Sequence, residues 1–335
     1  MPAMIRKGER NLITDVPGLK VGNAEDLSIR TGVTVILPDA PMAAVADIRG
    51  GAPGTRETDA LDPVSLVEGI DGLFLAGGSA FGLDAGGGVQ AHLKSIGRGY
   101  EVAPGLPPVP VVAGAILFDL GNGGDKNWDV SPYTRLGRAA AEACGRDFRL
   151  GNAGAGLGAI AGAYKGGLGS ASAVSDGVTV GALVAVNPVG SPVMPGSDAF
   201  WAWPFEIDGE YGGRRPGPLT ASGLPDDMKG RLEPATNTTI AVVATDAILT
   251  KVELKRLAIM AADGFARALR PVHTPFDGDL VYAVSTGRTP LARPGPQAVL
   301  ELGTLAADTL ARAIARGVYE AETLGPCRSY RDCFG

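Results

Sequence analysis

The sequence predicts a mixed α/β fold in which sheets are covered by helices. Predicted strands follow one another directly at residues 31–37 and 43–47, with no helix between them. Apolar residues recur at helical spacing from Leu254 to Ala268, whereas Val178–Val186 is an unbroken apolar run of strand length. Because strands and helices do not alternate strictly, helix-covered sheets are favoured over a doubly wound parallel sheet.

The first half of the chain supplies short elements separated by glycine-rich turns. Residues 1–30 carry turn signals, notably Asp15–Gly18, and Pro38 ends the first predicted strand. Arg49–Arg56 is a predicted loop. The remaining predicted elements are, in chain order, a buried strand at Gly72–Ala76, a helix near 80–95, and short helices at Leu136–Cys144 and at about 155–164.

The second half contains a linker-like segment followed by the clearest local signals. Residues 205–236 are polar and rich in Gly and Pro, and this segment ends just before Thr238. Thr250 and Glu253 have the spacing of a capping box, which predicts the start of a helix. The other predicted elements are strands at 239–245 and Leu280–Val284, a loop at Pro290–Pro296 and a last helix at 297–317.

Composition excludes several classes of protein. The chain has 335 residues, of which 45% are hydrophobic and 20% charged, a composition typical of a globular protein with a large core. The net charge of −6 and the lack of long Lys/Arg runs argue against a nucleic-acid partner. No apolar stretch reaches about 18 residues, so no membrane span is expected. The N-terminus lacks an apolar signal core.

Cysteine and histidine usage narrows the chemistry further. Cys144, Cys327 and Cys333 at unrelated spacings indicate a reducing cytoplasm, although Cys327 and Cys333 could form a bridge. The two histidines, His92 and His273, form no zinc-ligand spacing with the cysteines, so neither a metal nor another cofactor is expected. A histidine-based triad is possible only through His273.

Two glycine-rich segments resemble functional loops without matching them. Gly151–Gly158 lacks the spacing of a dinucleotide or Walker loop, so nucleotide binding is not predicted. Gly77–Gly82 misses the nucleophile elbow by one residue, and its glycines are explained equally well by close contact between a helix and a strand. Its backbone N–H groups could still bind a carboxylate or an oxyanion.

Four polar residues are candidates for chemistry, each with an ordinary alternative. Asp277 and Asp279 flank a glycine before a strand, where they form a surface turn or hold an amine and a hydroxyl. Asn187 ends a strand, where it starts a turn or donates to an oxyanion. Lys165 lies in a Gly/Ala-rich segment; it is either solvated or buried beside a partner such as Asp279 or a substrate carbonyl.

Thr238 is the candidate nucleophile. It stands at the head of a strand directly after Asn237. If the Asn237–Thr238 bond breaks, the α-amine of Thr238, with an unperturbed pKa of about 8, lies beside its own hydroxyl. A threonine activated in this way is a complete nucleophile and base. The alternative is that the segment is simply a well-formed strand.

Several motifs together resemble the self-processing L-aminopeptidase/D-Ala-esterase family, over nearly the whole chain. The Asn-Thr-Thr-Ile and His-Thr-x-x-Asp-Gly-Asp motifs are most similar to the branch of the nylon-oligomer (6-aminohexanoate oligomer) hydrolases. The segments that carry the resemblance are, in order, Asp47–Gly51, Leu75–Leu83, Gly154–Gly156, Asn187–Gly190, Asn237–Ile240 and His273–Asp279.

The resemblance implies an αββα sandwich of N-terminal-nucleophile type in a single domain of residues 1–335. It implies self-cleavage into an α chain of residues 1–237 and a β chain of residues 238–335, and a homo-oligomer of αβ units such as a tetramer of heterodimers. It also implies roles: Thr238 as nucleophile, Asp277 and Asp279 as its acidic partners, Asn187 in the oxyanion hole, and Lys165 as the active-site lysine.

These implications lead to an amide hydrolase acting through an acyl-enzyme on Thr238, with no cofactor. The substrates are linear amides such as 6-aminohexanoate oligomers or, alternatively, short peptides with a free N-terminus, D-alanine amides or β-peptides. A second hypothesis uses uncleaved Thr238 or Ser79 with His273 as the base. A third is a non-catalytic binding protein that is never cleaved.

Overall fold

The computed structural model describes residues 5–218, 225–229 and 237–335. Two five-stranded sheets and a small hairpin form its centre. The first sheet has the strand order β1-β2-β5-β6-β4, and the second has the order β3-β12-β11-β10-β9. The strands are β1 (Leu19–Asp26), β2 (Thr31–Pro38), β3 (Ala43–Ile48), β4 (Thr55–Arg56), β5 (Gly72–Ala76), β6 (Val112–Ile116), β7 (Ile160–Ala161), β8 (Tyr164–Lys165), β9 (Leu168–Ser175), β10 (Val178–Ala185), β11 (Ile240–Ala247) and β12 (Leu280–Thr289).

Six α-helices accompany the sheets in the described part of the chain. The predicted capping box begins one of them: the Glu253 N–H donates to Thr250 Oγ1 over 3.2 Å, and the Thr250 N–H donates to Glu253 Oε2 over 2.9 Å. The helices are α1 (Ala85–Ser95), α2 (Tyr133–Glu142), α3 (Lys251–Ala261), α4 (Asp263–Ala268), α5 (Pro296–Tyr319) and α6 (Tyr330–Phe334).

Alternating side chains of the strands place the sheets face to face and the helices outside. In β11, Val242 and Ala244 face the first sheet, whereas Ala241 and Val243 pack under α3, α4 and α5. In β5, Leu75 faces the second sheet and its neighbours pack under α1 and α2. This period-two pattern gives each sheet two apolar faces, and the result is the αββα sandwich that the resemblance implies.

Several sequence-based element predictions are wrong. Strands β1, β6 and β9 were not predicted, and residues 155–164 form a 3₁₀ turn and the β7–β8 hairpin instead of a helix. The described part of the predicted linker is partly core: Tyr211 is buried and its hydroxyl donates to Ala202 O. The rest of that segment, 219–224 and 230–236, lies outside the described residues. Cys327 and Cys333 are both free thiols.

No helix in the described part of the chain is long and apolar enough to cross a membrane.

Candidate active site

The topology of the second sheet brings three predicted site segments to one edge. β10 runs antiparallel to β11 with Ala185 opposite Ile240, so the residues that follow β10 lie beside those that precede β11. β12 runs parallel to β11 with Leu280 opposite Ile240, so the residues ahead of both strands also lie side by side. The pairing therefore brings Asn187, Thr238 and Asp279 together from distant parts of the sequence.

Thr238 is buried in the uncleaved chain, and its hydroxyl is hydrogen-bonded to the carbonyl of the peptide group expected to be cleaved. Thr238 Oγ1 donates to the carbonyl oxygen of Asn237 over 2.5 Å. The same carbonyl oxygen accepts the Gly278 N–H over 3.0 Å, which polarises it. A Cβ added at Gly278 would lie 2.7 Å from Thr238 Oγ1, so only glycine allows this close approach.

The two aspartates are buried and hydrogen-bonded, so the surface-turn alternative is wrong. Asp277 accepts the Val189 N–H over 3.1 Å, and the N–H and hydroxyl of Thr274 over 3.1 and 2.5 Å. Asp279 Oδ1 accepts the Thr239 N–H over 2.8 Å, directly beside the nucleophile. Burial, and then the nearby charge of Asp279, raise the pKa of Asp277.

The predicted loop Arg49–Arg56 supports the turn that carries both aspartates. The N–H groups of Arg49 and Gly50 each donate to Asp279 O over 3.0 Å, and the Ala52 N–H donates to Asp277 O over 2.8 Å. A Cβ at Gly50 would lie 2.3 Å from Asp277 O, which explains a glycine at this close contact. This loop is a supporting element that sequence reasoning left without a role.

Asn187 is held by contacts on both ends of its amide. Its Oδ1 accepts the Ile160 N–H over 2.9 Å and the Lys229 ammonium over 3.1 Å, while its Nδ2 donates to Phe118 O over 2.9 Å. Its backbone carbonyl accepts the Thr238 N–H over 3.0 Å. Two donors at one end and a carbonyl at the other fix which way the amide faces.

Lys165 is buried, but its partners differ from those expected from the sequence. Its ammonium donates to the carbonyls of Gly156, Ala159 and Gly166 over 3.0, 2.9 and 2.6 Å. All three acceptors are backbone carbonyls, so these bonds involve neither Asp279 nor a substrate carbonyl, the two partners that the sequence suggested. Burial lowers the pKa of Lys165 to about 7. The lysine therefore braces the backbone next to Ile160, which in turn contacts Asn187.

Two neighbours of the site make contacts that the sequence analysis did not predict: His273, considered there only as a possible base, and Lys229. The backbone N–H of His273 donates to Asp279 Oδ2 over 2.9 Å, and the ring Nδ1 lies 3.0 Å from the same oxygen. Among the described residues no hydrogen bond joins the His273 ring to Thr238 or Ser79, which disfavours it as their base. Lys229 lies in the predicted linker, and only the tertiary fold brings it to Asn187.

Comparisons with known sequences place the chain among peptidases. The family described as peptidase family S58 matches residues 11–329. An uncharacterized aminopeptidase of Mycobacterium tuberculosis (strain CDC 1551 / Oshkosh) is 43% identical over 344 aligned residues, covering 97% of this chain and 98% of that protein. The 6-aminohexanoate-oligomer endohydrolase of Kocuria sp. (strain KY2) is 32% identical over 292 residues, covering 83% of this chain and 76% of that protein.

Solved structures share the fold at lower sequence identity. The L-aminopeptidase D-Ala-esterase/amidase of Ochrobactrum anthropi, described as a variant among the N-terminal-nucleophile hydrolase fold, superposes with a TM-score of 0.70 and 23% identity, covering 97% of this chain and 90% of that chain. A β-aminopeptidase of Burkholderia sp. superposes with a TM-score of 0.68 and 24% identity, covering 97% and 91%.

Proposed function

The chain belongs to peptidase family S58, has the fold of the N-terminal-nucleophile hydrolases and is an amide-bond hydrolase; from that premise we propose that it cleaves itself before Thr238 and uses this residue as its nucleophile. The observation that carries the proposal is the 2.5 Å contact between the Thr238 hydroxyl and the Asn237 carbonyl. Membership of a peptidase family argues against the alternative of a non-catalytic binding protein.

The proposed self-cleavage starts from this hydrogen-bonded arrangement and proceeds by an N-to-O acyl shift. Thr238 Oγ1 attacks the carbonyl carbon of Asn237, and its proton passes to the amide nitrogen as the C–N bond breaks. The product is an ester between Asn237 and the Thr238 side chain, with a free α-amine on Thr238. Water then hydrolyses the ester to a carboxylate on Asn237, returns the hydroxyl to Thr238 and releases one proton. The chains formed are residues 1–237 and 238–335.

The new α-amine supplies the base for turnover. It accepts the Thr238 hydroxyl proton as Oγ1 attacks the substrate carbonyl, and then passes this proton to the departing amine. Asn187 has a second Nδ2 hydrogen that can donate to the oxyanion, a contribution of about 3–4 kcal/mol for one good donor. Asp279 holds the Thr239 N–H, and Asp277 lies beside it; together they orient the start of the β chain. Water hydrolyses the acyl-enzyme and restores Thr238.

We propose two substrate classes, each supported by one group of relatives. Short peptides and aminoacyl amides with a free N-terminus are favoured by the aminopeptidases that are 43% identical. Oligomers of 6-aminohexanoate are the second candidate, favoured by the endohydrolases that are 32% identical. Lys165 is proposed to support the loop behind Asn187, and the αβ units are proposed to assemble into a homo-oligomer.

The test combines intact mass with one variant and one control. We expect the purified protein to contain two chains whose masses match cleavage between Asn237 and Thr238, and to hydrolyse aminoacyl anilides or 6-aminohexanoate oligomers. Thr238→Ala should give one intact, inactive chain near 34.1 kDa. The control, Thr238→Ser, keeps a hydroxyl and should still cleave. Two fragments from Thr238→Ala, or full activity from an intact wild-type chain, would overturn the proposal.

A further inference from the structure

Lys229 contacts Asn187, which is both the proposed oxyanion donor and a direct neighbour of the scissile bond. Its ammonium donates to Asn187 Oδ1 over 3.1 Å and approaches the Asn187 carbonyl oxygen at 3.4 Å. That carbonyl oxygen also accepts the N–H of Thr238, the nitrogen that departs during self-cleavage. The backbone of Lys229 is fixed as well, because its N–H donates to Val189 O over 2.8 Å.

The other buried lysine of the site cannot take this part. The Lys165 ammonium has three hydrogens and makes three bonds to backbone carbonyls, so its donors are used by the loop around it. The Lys229 ammonium instead contacts both oxygens of Asn187. The two lysines thus have different tasks: one holds a loop, and the other holds a site residue.

Before cleavage the site lacks the positive charge that the α-amine of Thr238 later supplies, and Lys229 offsets this lack. Asp277 and Asp279 are both buried, and before cleavage the Thr238 nitrogen is an uncharged amide. Burial lowers the pKa of Lys229 to about 7, whereas the charges of Asp277 and then Cys327 raise this pKa and the charge of Lys165 lowers it further. Lys229 and Asp277 are also joined through Val189, whose carbonyl accepts the Lys229 N–H and whose N–H donates to Asp277. After cleavage, the α-ammonium of Thr238 provides a second cation beside the carboxylates.

We propose that Lys229 is a positioning residue for self-cleavage, which acts through Asn187 and offsets the charge of Asp277 until the α-amine of Thr238 exists. This inference rests on the proposed self-cleavage. Its active form is the ammonium, because only a cation both donates to Asn187 and offsets a carboxylate. The side chain should therefore matter more for maturation than for turnover of the cleaved enzyme.

The test measures the rate of self-cleavage against pH. The full chain is made by a short pulse of cell-free synthesis, adjusted to pH 6 through 9, and followed on denaturing gels. The variants are Lys229→Met, which removes the cation, and Lys229→Arg, which keeps it at every pH used. Lys94→Met, at an exposed helix position of α1, is the control.

At pH 6 we expect Lys229→Met to cleave about 10- to 100-fold more slowly than wild type, since a hydrogen bond to a charged group contributes about 1.5–3 kcal/mol. The advantage of wild type over Lys229→Met should shrink as pH rises through about 7, because the ammonium is lost. Lys229→Arg should keep its advantage at pH 9, and Lys94→Met should match wild type. Turnover per cleaved chain should fall less than the cleavage rate.

Three results would overturn the inference. They are cleavage of Lys229→Met at the wild-type rate at pH 6, a wild-type advantage that grows with pH, and a folded Lys229→Arg that cleaves as slowly as Lys229→Met. Folding is checked on intact chains by comparing the unfolding midpoints of Thr238→Ala with and without Lys229→Met, which should agree within a few degrees. If Thr238→Ala itself is cleaved, the proposed function fails; if it stays intact while Lys229→Met cleaves normally, only the role of Lys229 fails.

Discussion

Two buried groups of charges in this molecule follow opposite rules. Around Arg312 in α5, the guanidinium meets Glu210 at 2.5 and 2.9 Å and also donates to Asn11 Oδ1 and Ser172 O. The second group lies at the edge of the second sheet where Asn187, Thr238 and Asp279 meet, which we call the site edge. There Asp277 and Asp279 lie together, and their neutral donors are N–H groups and the Thr274 hydroxyl. The first group pairs unlike charges, whereas the second brings like charges close together.

The pKa values record this difference. Burial alone would raise the pKa of Glu210, but the hydrogen bonds and charge of Arg312 outweigh it, so the pKa is lowered. For Asp277, burial and the charge of Asp279 act in the same direction and the pKa is raised. Buried pairs of unlike charges connect elements of the fold. Buried like charges instead raise the pKa of a carboxyl group, which favours proton exchange or the binding of a cation. The comparison predicts that the two groups fail differently when they are altered.

The largest expected effect is on turnover at the site edge. Asp279→Asn should lower turnover per cleaved chain about 100- to 1000-fold, a loss in the range of a positioned catalytic contact. The amide cannot accept at both positions now used by Thr239 N–H and by His273. The measurement is initial rate on an aminoacyl anilide, normalised to the fraction cleaved.

The unfolding midpoint of Asp279→Asn should stay within a few degrees of wild type, because the variant removes one of two like charges. Turnover within about threefold of wild type would show that the carboxylate pair is structural, and the contrast with Glu210 would be lost.

The next effect is on stability at the paired group. Glu210→Gln in the single-chain Thr238→Ala background should lower the free energy of unfolding by about 3–5 kcal/mol, since it leaves the buried Arg312 charge uncompensated. Urea unfolding measures this loss. Glu142→Gln is the matched control: it breaks the exposed pair of Arg138 and Glu142, which should contribute at most about 1 kcal/mol.

In the cleavable chain, Glu210→Gln should leave turnover per folded, cleaved molecule near the wild-type value. Adding Arg312→Met should recover part of the lost stability, because the unpaired charge is then removed as well. A large fall in turnover without loss of stability would place Glu210 in the site and contradict the comparison.

The sequence predicts the site edge better than the rest of the fold. Asn237–Thr238 at the head of one strand and Asp277–Asp279 at the head of another are local patterns, and parallel pairing of β11 with β12 brings them together. Strand β9 was missed because its small residues suit the close approach of α5: a Cβ at Gly169 would lie 1.9 Å from Ala313 O. The need for small residues is set by the packing of α5, so the sequence of the strand alone does not reveal it.

Lys229 and the β7–β8 hairpin were missed for the same physical reason. Gly156 and Gly166 are needed where backbone passes backbone, and a Cβ at Gly166 would lie 2.1 Å from Val186 O. The composition around Lys229 is that of a linker, and its contact with Asn187 exists only once β10 and β11 are paired. Local sequence patterns therefore point to the proposed nucleophile but not to the groups that hold it.

The smallest expected effect is also the most direct test of the comparison, because it follows both carboxylates as pH changes. Glu210 has a lowered pKa in the folded chain, so its stabilising effect is present above its unfolded pKa of about 4.3 and is lost as pH falls through the folded pKa. Asp277 has a raised pKa, so its stabilising effect is complete below about 3.9 and is lost as pH rises through the folded pKa.

The measurement is the free energy of unfolding in urea from pH 3 to 7 for Thr238→Ala, alone and combined with Glu210→Gln or Asp277→Asn. The advantage of the parent over Glu210→Gln should grow with pH, and its advantage over Asp277→Asn should shrink, by roughly 1.4 kcal/mol for each unit of pKa difference. Opposite slopes would mean that the fold stabilises the charge of Glu210 and disfavours the charge of Asp277. Parallel slopes would mean that both carboxylates are structural, because a site that holds two like charges for catalysis must lose stability when both are ionised.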